Sequence, residues 1–476
     1  MGKIKKNGFF VRLLAVWIDA LLIFFVLKLF FYLCLALPIY LYFPFEFTFI
    51  VTFIIYSAVC MVFKCNTLGR YLLNMSPKMT KYIAAISFII FVVYHVGNIV
   101  YLCIEAQQMR MSSTVTYPFE NRDANHLKEV TSISEQDYST LSDWVEDNKQ
   151  SPEEYVIQIA KNYKVTLIGE RHHIKTYTDF FNDIIPNLYH KAGVRCIAME
   201  VIPSSMNGKI EKLIDADEFD ERLFMEISRS QPWCMWGLEE YWNVLKNAWK
   251  LNKNLKSDEQ KLRVVGIDSD WIGPKFALVF SGTEDGVKNV PFVEKFRVFT
   301  LIPDFIKIIQ RDEIMARNIE KEAIEKNDKC VVLVGYSHTF LNFGSRMGAM
   351  LNKKYKNDIF QIVTHHNDCI SDDLLNKVIY EKGLAPIGFT VENSPFAMFR
   401  DSTSYIYANL PKVSFSDVAQ GYIYMKPFDK IEKCKWMSNY ISKEMFMKYK
   451  PYYERRLNQK FNNEEEMNDY MPQYFQ

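Results

Sequence analysis

The chain lacks most of the short motifs that announce a function. There is no Gly-x-Gly-x-x-Gly and no Gly-Lys-Ser/Thr loop, so the usual cradles for dinucleotide and nucleotide phosphates are missing. There is no His-Glu-x-x-His, so no closely spaced ligand pair fixes a metal. The nine cysteines are an odd number without framework spacing, and a disulfide scaffold is not implied. No repeat of fixed period and no low-complexity tract occurs. A net charge of +1 over 476 residues excludes a globally basic nucleic-acid binder. With 49% hydrophobic and 15% aromatic residues, the chain is not disordered or collagen-like either.

Charge is scarce above all at the start. Residues 1–104 hold 9 Lys+Arg and 2 Asp+Glu, a net of +7, which leaves 48 against 54, a net of −6, for the rest. Within this basic head lie three apolar runs: 13–37, interrupted only by Asp19 and Lys28, then 47–63 and 82–104, both uncharged. Crossing the hydrocarbon takes about 20 residues, so three transmembrane helices are expected, in contact with a lipid bilayer. No small-residue cleavage site separates the first run from the second, which argues against a signal peptide. Lys3, Lys5, Lys6 and Arg12 precede the first span, and Lys64, Arg70, Lys78 and Lys81 fall in the second loop. Both basic segments are expected on the cytoplasmic side, so three crossings put the body outside the cytoplasm, anchored in a bacterial-type inner or plasma membrane. Asp19 is expensive inside lipid and is a functional candidate, with pairing to Arg12 or Lys28 as the plainer role.

Two patterns in this head carry a resemblance. The run Arg12-Leu13-Leu14-Ala15-Val16-Trp17-Ile18-Asp19 and the loop Thr67-Leu68-Gly69-Arg70-Tyr71-Leu72-Leu73-Asn74 resemble the RDD family of membrane domains, whose motifs read R-x-x-A-x-x-I-D and T-L-G-K-x-L-L-G. The first helix here has no second acidic residue.

Residues 105–150 are polar and read as a tether, with a short helix near 138–147. Ser151-Pro152-Glu153-Glu154 then opens a helix, with Ser151 as cap, Pro152 in the first turn and Glu154 closing a capping box. The folded body is expected to begin there, with residues 151–366 as its main part and 367–476 as an aromatic, Lys-rich extension. Apolar β-rich runs at 165–169, 195–199, 262–267, 330–335 and 358–363 alternate with helical stretches at 177–192, 238–255, 304–326 and 340–354. This alternation predicts an α/β domain with a mostly parallel sheet covered on both faces.

The polar residues fall at the ends of these runs. Glu170, His172 and His173 follow the first, Glu200 ends the second, Asp268 follows the third, His338 the fourth, and His365 and His366 the fifth. Five of the eight histidines therefore lie just beyond a predicted strand, at the sheet edge where open α/β domains bind ligands. Two of the runs end alike, in Gly169-Glu170-Arg171-His172 and Gly335-Tyr336-Ser337-His338. In each, glycine allows a tight exit and a close approach to a ligand.

Ile168-Gly169-Glu170-Arg171-His172, Ala198-Met199-Glu200, Gly266-Ile267-Asp268, the helix Arg311-Asp312-Glu313-Ile314-Met315-Ala316-Arg317-Asn318, and Val334-Gly335-Tyr336-Ser337-His338 occur in an order that resembles the erythromycin esterase, ChaN and Tiki/TraB superfamily. The resemblance covers about residues 155–366. Where the esterases have Asn beside the later histidine, Ser337 and Thr339 flank His338 here. The esterase-like members imply water attack on an ester, lactone or amide carbonyl of a small-molecule or peptide substrate. His172 would then be the general base for a water held by Glu170 or Glu200, with an imidazole near neutral pKa suited to the task. Arg311 and His338 would stabilise the oxyanion, and Asp268 would orient a histidine or the arginine. The Tiki-like members imply a divalent metal, Zn, Mn or Co, on His172, His338 and Glu170, with His365 or His366 as a further ligand. At most one of that adjacent pair would join the site, because neighbours in a strand face opposite ways. The ChaN-like members imply haem bound through a histidine or Tyr336.

Overall fold

The computed structural model describes residues 123, 126–231, 234–270, 310–410 and 412–475. The three apolar runs, with Arg12 and Asp19, lie outside the described residues. Among the described residues no helix is long and apolar enough to cross a membrane.

The fold gathers residues before Ser151. Strand β1 (Lys128–Glu129) leads into helix α1 (Glu135–Asn148), which opens with a capping box between Ser134 and Asp137. Leu141 and Val145 are buried, and Trp144 packs edge-on against Phe389 and Phe396, with centroids 6.0 and 5.9 Å away. The segment read as a tether thus supplies part of the core from residue 128 onward. Its apolar stripe is only three residues wide, too narrow to stand out in a polar stretch. Helix α2 (Pro152–Asn162) begins as the sequence indicates, with Ser151 and Glu154 in a reciprocal cap.

An alternating order follows: β2 (Val165–Glu170), α3 (Lys175–Ala192), β3 (Val194–Pro203), α4 (Asn207–Ile214), α5 (Glu221–Ser228), α6 (Glu239–Lys253), β4 (Arg263–Asp268), α7 (Arg311–Ile319), β5 (Lys329–Gly335), α8 (Met347–Tyr355) and β6 (Ile359–Thr364). All five expected strands form. Of the helix expected over 304–326, residues 304–309 lie outside the described residues, and a π turn at Glu320–Ile324 follows α7 in its last part. The one expected over 340–354 is split into a single turn, Tyr336–Thr339, and α8. Beyond residue 366 come β7 (Ile387–Thr390), β8 (Phe399–Arg400), β9 (Gly421–Tyr424), α9 (Lys443–Leu457) and α10 (Glu464–Tyr474).

Seven strands pair in the order β4-β3-β5-β2-β6-β9-β7, parallel except for β7 against β9, while β1 and β8 form a small separate pair. The sheet is therefore α/β and mostly parallel, as the alternation of runs predicts. All six residues of β2 are buried, as a strand covered on both faces requires. One face packs under α3, α6 and the last two helices, through Phe181, Trp242, Tyr453 and Met471. The other packs under α7 and α8, through Met315, Ile319, Met347 and Leu351. Each such large apolar side chain contributes about 1.5–3 kcal/mol by leaving water. These two layers hold the carboxyl ends of β2, β3, β4 and β5 in fixed relation.

Candidate active site

The two Gly-x-x-His segments leave adjacent strands side by side. In the register between β2 and β5, Gly169 lies opposite Val334 and Glu170 opposite Gly335. Each glycine makes room for the other segment. A Cβ on Gly335 would sit 2.8 Å from His172 Cε1 and 3.0 Å from Nε2. A Cβ on Gly169 would sit 2.8 Å from Thr339 Oγ1 and 2.9 Å from Tyr336 Cα. Neither approach leaves room for a side chain, so the repeated motif is a reciprocal packing requirement as well as a chemical one.

His172 Nδ1 lies 2.5 Å from Glu170 Oε1, so Nδ1–H donates to the carboxylate and Nε2 is turned toward β3 and β5. There Nε2 is 4.0 Å from Glu200 Oε2, a gap that one water can bridge with a hydrogen bond to each side. Glu200 Oε2 also accepts the Gly335 N–H at 2.6 Å, and its Oε1 accepts Arg311 Nη2 at 2.5 Å. Arg311, the first residue of α7, donates through Nε and Nη2 to Asp268 at 2.9 and 2.7 Å. Its Nη1 lies 3.2 Å from His338 Nε2. His338 is completed by Asp312, whose Oδ1 is 2.8 Å from Nδ1 and also accepts the Met347 N–H at the start of α8. Glu170, Glu200 and Asp268 are each only 2% exposed, while 34% of the His172 side chain is open. The site is a buried polar floor with one accessible imidazole.

The electrostatics follow from this packing. Burial opposes a charge on His172, but Glu170 and Glu200 outweigh it and push its pKa up to about 9. The expectation of an imidazole near neutrality is thereby corrected, because two carboxylates rather than one face the ring. Burial likewise opposes ionisation of Glu200, yet Arg311, His338 and His172 hold it well below the usual carboxylate range. Asp268 is raised, since burial outweighs its bonds from Arg311. Asp312 is lowered, because His338, Arg346 and the Met347 N–H overcome its burial.

The six residues picked from sequence, Glu170, His172, Glu200, Asp268, Arg311 and His338, form one connected network. Among the described residues Arg311 bonds Glu200 and Asp268 and meets His338, which makes it the hub of this network. The metal set of His172, His338 and Glu170 does not fit: among the described residues no group of three or more His, Cys, Asp or Glu side chains is placed to hold an ion. The physical reason is Arg311, whose guanidinium fills the place between Glu200, Asp268 and His338 that a cation would need. Haem does not fit these groups either. His172 Nε2 faces Gly335 and Glu200 too closely for a porphyrin face. The Tyr336 hydroxyl bonds Asp368 at 3.3 Å while its ring packs on His366 at 4.1 Å.

His365 and His366 stand apart. His365 is held by the Tyr422 hydroxyl at 2.9 Å and Asp372 at 2.7 Å, and His366 lies 3.1 Å from Cys369 Sγ. Neither joins the network, so neither is the further ligand that the Tiki-like resemblance implies. Asp312 was noted only as a neighbour of Arg311, and its place at the start of a helix beside that arginine was the available signal. Trp236, 4.8 Å from the His172 ring and perpendicular to it, left no signal in the sequence. Two surface clefts, of about 720 and 460 Å³, are lined by other residues, including Arg229 with Tyr449 and Asn182 with Asn247, and none of the six network residues lines either.

These features define an α/β domain with a histidine–carboxylate–arginine site at the carboxyl edge of its sheet. No family model matches the chain, and no curated protein matches it. Among solved structures it is similar to a Bacillus cereus protein at 9% identity and a TM-score of 0.43, over 63% of this chain and 99% of that one. It is also similar to an erythromycin esterase mutant in its open conformation, at 12% identity and a TM-score of 0.39, over 60% of this chain and 95% of the other. Haem-bound ChaN of Campylobacter jejuni is a third, at 16% identity and a TM-score of 0.26, over 47% and 90%. At such values no chemistry transfers, and the site has to be judged on its own geometry.

Proposed function

We propose that the chain is a membrane-anchored hydrolase that directs water at the carbonyl of an ester, lactone or amide. The observation that carries this reading is the pair His172–Glu170 facing Glu200 across a gap one water wide, with the Arg311 guanidinium on the far side of the same carboxylate. The water donates to His172 Nε2, which takes its proton as the oxygen attacks. Glu170 holds the imidazole by Nδ1 and stabilises the imidazolium that forms. Glu200, kept ionised, is a weak base and serves to orient that water. Arg311 Nη1 faces the position where negative charge develops on the carbonyl oxygen, Asp268 holds the guanidinium, and His338, oriented by Asp312, braces it by accepting from Nη1 at Nε2. The substrate is a small molecule or peptide rather than nucleic acid, because the buried floor holds more carboxylates than cations. The three apolar runs of the head support a bilayer anchor, and their flanking lysines and arginines support a body outside the cytoplasm.

The test is the full chain beside its His172→Ala variant on a panel of esters, lactones and peptides. The expected result is turnover in the parent and a loss of about 10²–10⁴-fold in the variant, with unchanged circular dichroism. Equal turnover in both, or none in the parent across the panel, would sink the reading.

A further inference from the structure

The residues after 430 reach the back of His172, although no motif assigns them a part in the site. Short bridges pair Ile174 with Lys433 and Leu238 with Trp436. The Cys434 N–H donates to the His173 carbonyl at 3.0 Å, Lys175 N–H to the Glu432 carbonyl at 2.8 Å, and Met437 N–H to the Gly237 carbonyl at 2.7 Å. One strip of chain therefore ties the turn that carries His172 to the turn that carries Trp236. Gly237 permits the approach, since a Cβ there would lie 2.4 Å from the Trp436 ring.

His173 sits at the centre of this seam in a left-handed conformation, φ +76°, which is strained for a non-glycine residue and persists only when its surroundings enforce it. Its N–H is held by the Tyr241 hydroxyl at 3.0 Å. Its ring is 5.8 Å from Trp236 on one side and 5.2 Å from Phe475 on the other. Phe475 stacks on Trp436 at 5.9 Å, and Trp236 meets the face of the His172 system at 4.8 Å. A chain of rings thus runs from the last helix to the imidazole.

We propose that His173, Trp236 and Phe475 form a positioning clamp for His172, so that the end of the chain is a working part of the site. Glu170 fixes one ring nitrogen but leaves the imidazole free to swing about the Glu170–Nδ1 direction. Trp236 closes that freedom, His173 braces Trp236, and Phe475 braces His173. The groups facing the imidazole are Glu170 from β2, Glu200 from β3, Arg311 from α7 and His173 from its own turn. The Glu170 bond to Nδ1 requires a fixed ring plane, because hydrogen bonds weaken steeply away from linearity, and the same plane sets the 4.0 Å approach of Nε2 to Glu200. The kinetic consequence rests on the hydrolase reading, since misplacing a reacting group by about 1 Å can cost around 10²-fold in rate.

The experiment uses the full chain with Phe475→Ala, Phe475→Tyr and Phe475→Leu. The short Nδ1–H···Glu170 bond should give a downfield proton resonance, assigned by its absence in His172→Gln. The expected result is that Phe475→Ala broadens or abolishes this resonance and lowers kcat about tenfold or more with KM within about twofold, and that Phe475→Tyr retains both. If Phe475→Ala does not fold, Phe475→Leu decides in its place by the same resonance. An unchanged resonance and kcat in a folded Ala or Leu variant overturns the clamp, as does a parent chain without the resonance. A resonance that depends on Phe475 in a chain without turnover overturns the hydrolase reading alone.

Discussion

The carboxyl edge of the sheet has two histidine pairs on it, and they have opposite fates. Over β2 and β5, His172 and His338 each bond a carboxylate, and both keep part of the side chain open. Over β6, His365 also bonds a carboxylate, Asp372, yet it and His366 are 0% exposed. The residue types match and the electrostatics do not. His172 is pushed up because two carboxylates outweigh its burial, whereas burial drives His365 and His366 down despite Asp372. The sign of the pH dependence differs accordingly. Stability from His172 is fully present below its ordinary 6.5 and is lost as pH rises through about 9. Stability from the neutral His365 and His366 is present above 6.5 and is lost as pH falls below it. A histidine at a strand end thus lies in an accessible charged network or in the core according to how many charges face it and whether solvent reaches it.

The largest break in this contrast comes from Arg311. In Arg311→Leu, Glu200 and Asp268 stay buried without their cation, and removing one member of such a set costs about 3–5 kcal/mol. The expected outcome is a large drop in the denaturation midpoint, together with loss of turnover. A small stability change would mean that the floor is hydrated and the network weak. Next in size is the pH profile of turnover. If neutral His172 is the base, kcat/KM rises about tenfold per unit from pH 7 toward 9, about a hundredfold in all, and then levels. A profile that falls over that range would assign His172 the role of proton donor instead.

Much of the site was readable because its carboxylates close apolar runs, two of them at strand ends and Glu200 within β3, three residues before Pro203. Glu170, Glu200 and Asp268 close apolar runs, and the two glycines before His172 and His338 are needed where the segments pass each other. The order of the strands in space, which puts β5 between β3 and β2, was not readable, and it is what brings His338 to Glu200. The clamp residues were hidden for another reason. Trp236 and Phe475 lie in segments with no period, and their role exists only once the strip beginning near Glu432 pairs with two distant turns. Strands β7 and β9, four residues each, are too short to show alternation, so the extension looked featureless although it completes the sheet. His365 and His366 stand just beyond β6 as the sequence indicates, but a run followed by histidines looks the same whether the next segment opens to solvent or folds over it.

The smallest expected effect sharpens that last distinction. His365→Ala removes the partner of the buried Tyr422 hydroxyl, while Asp372 keeps its bonds from the Phe428 N–H and Asn376. Losing that bond at a buried hydroxyl costs about 1–3 kcal/mol, so the unfolding free energy should fall by that amount or less. The acid side of the stability curve should also flatten, since a neutral buried imidazole no longer resists protonation. Turnover per folded molecule should not change, because His365 bonds groups of the other half of the edge and none of Glu170, Glu200 or Arg311. A fall in kcat at unchanged stability would instead join the two halves into one site, and the separation drawn from burial would be wrong.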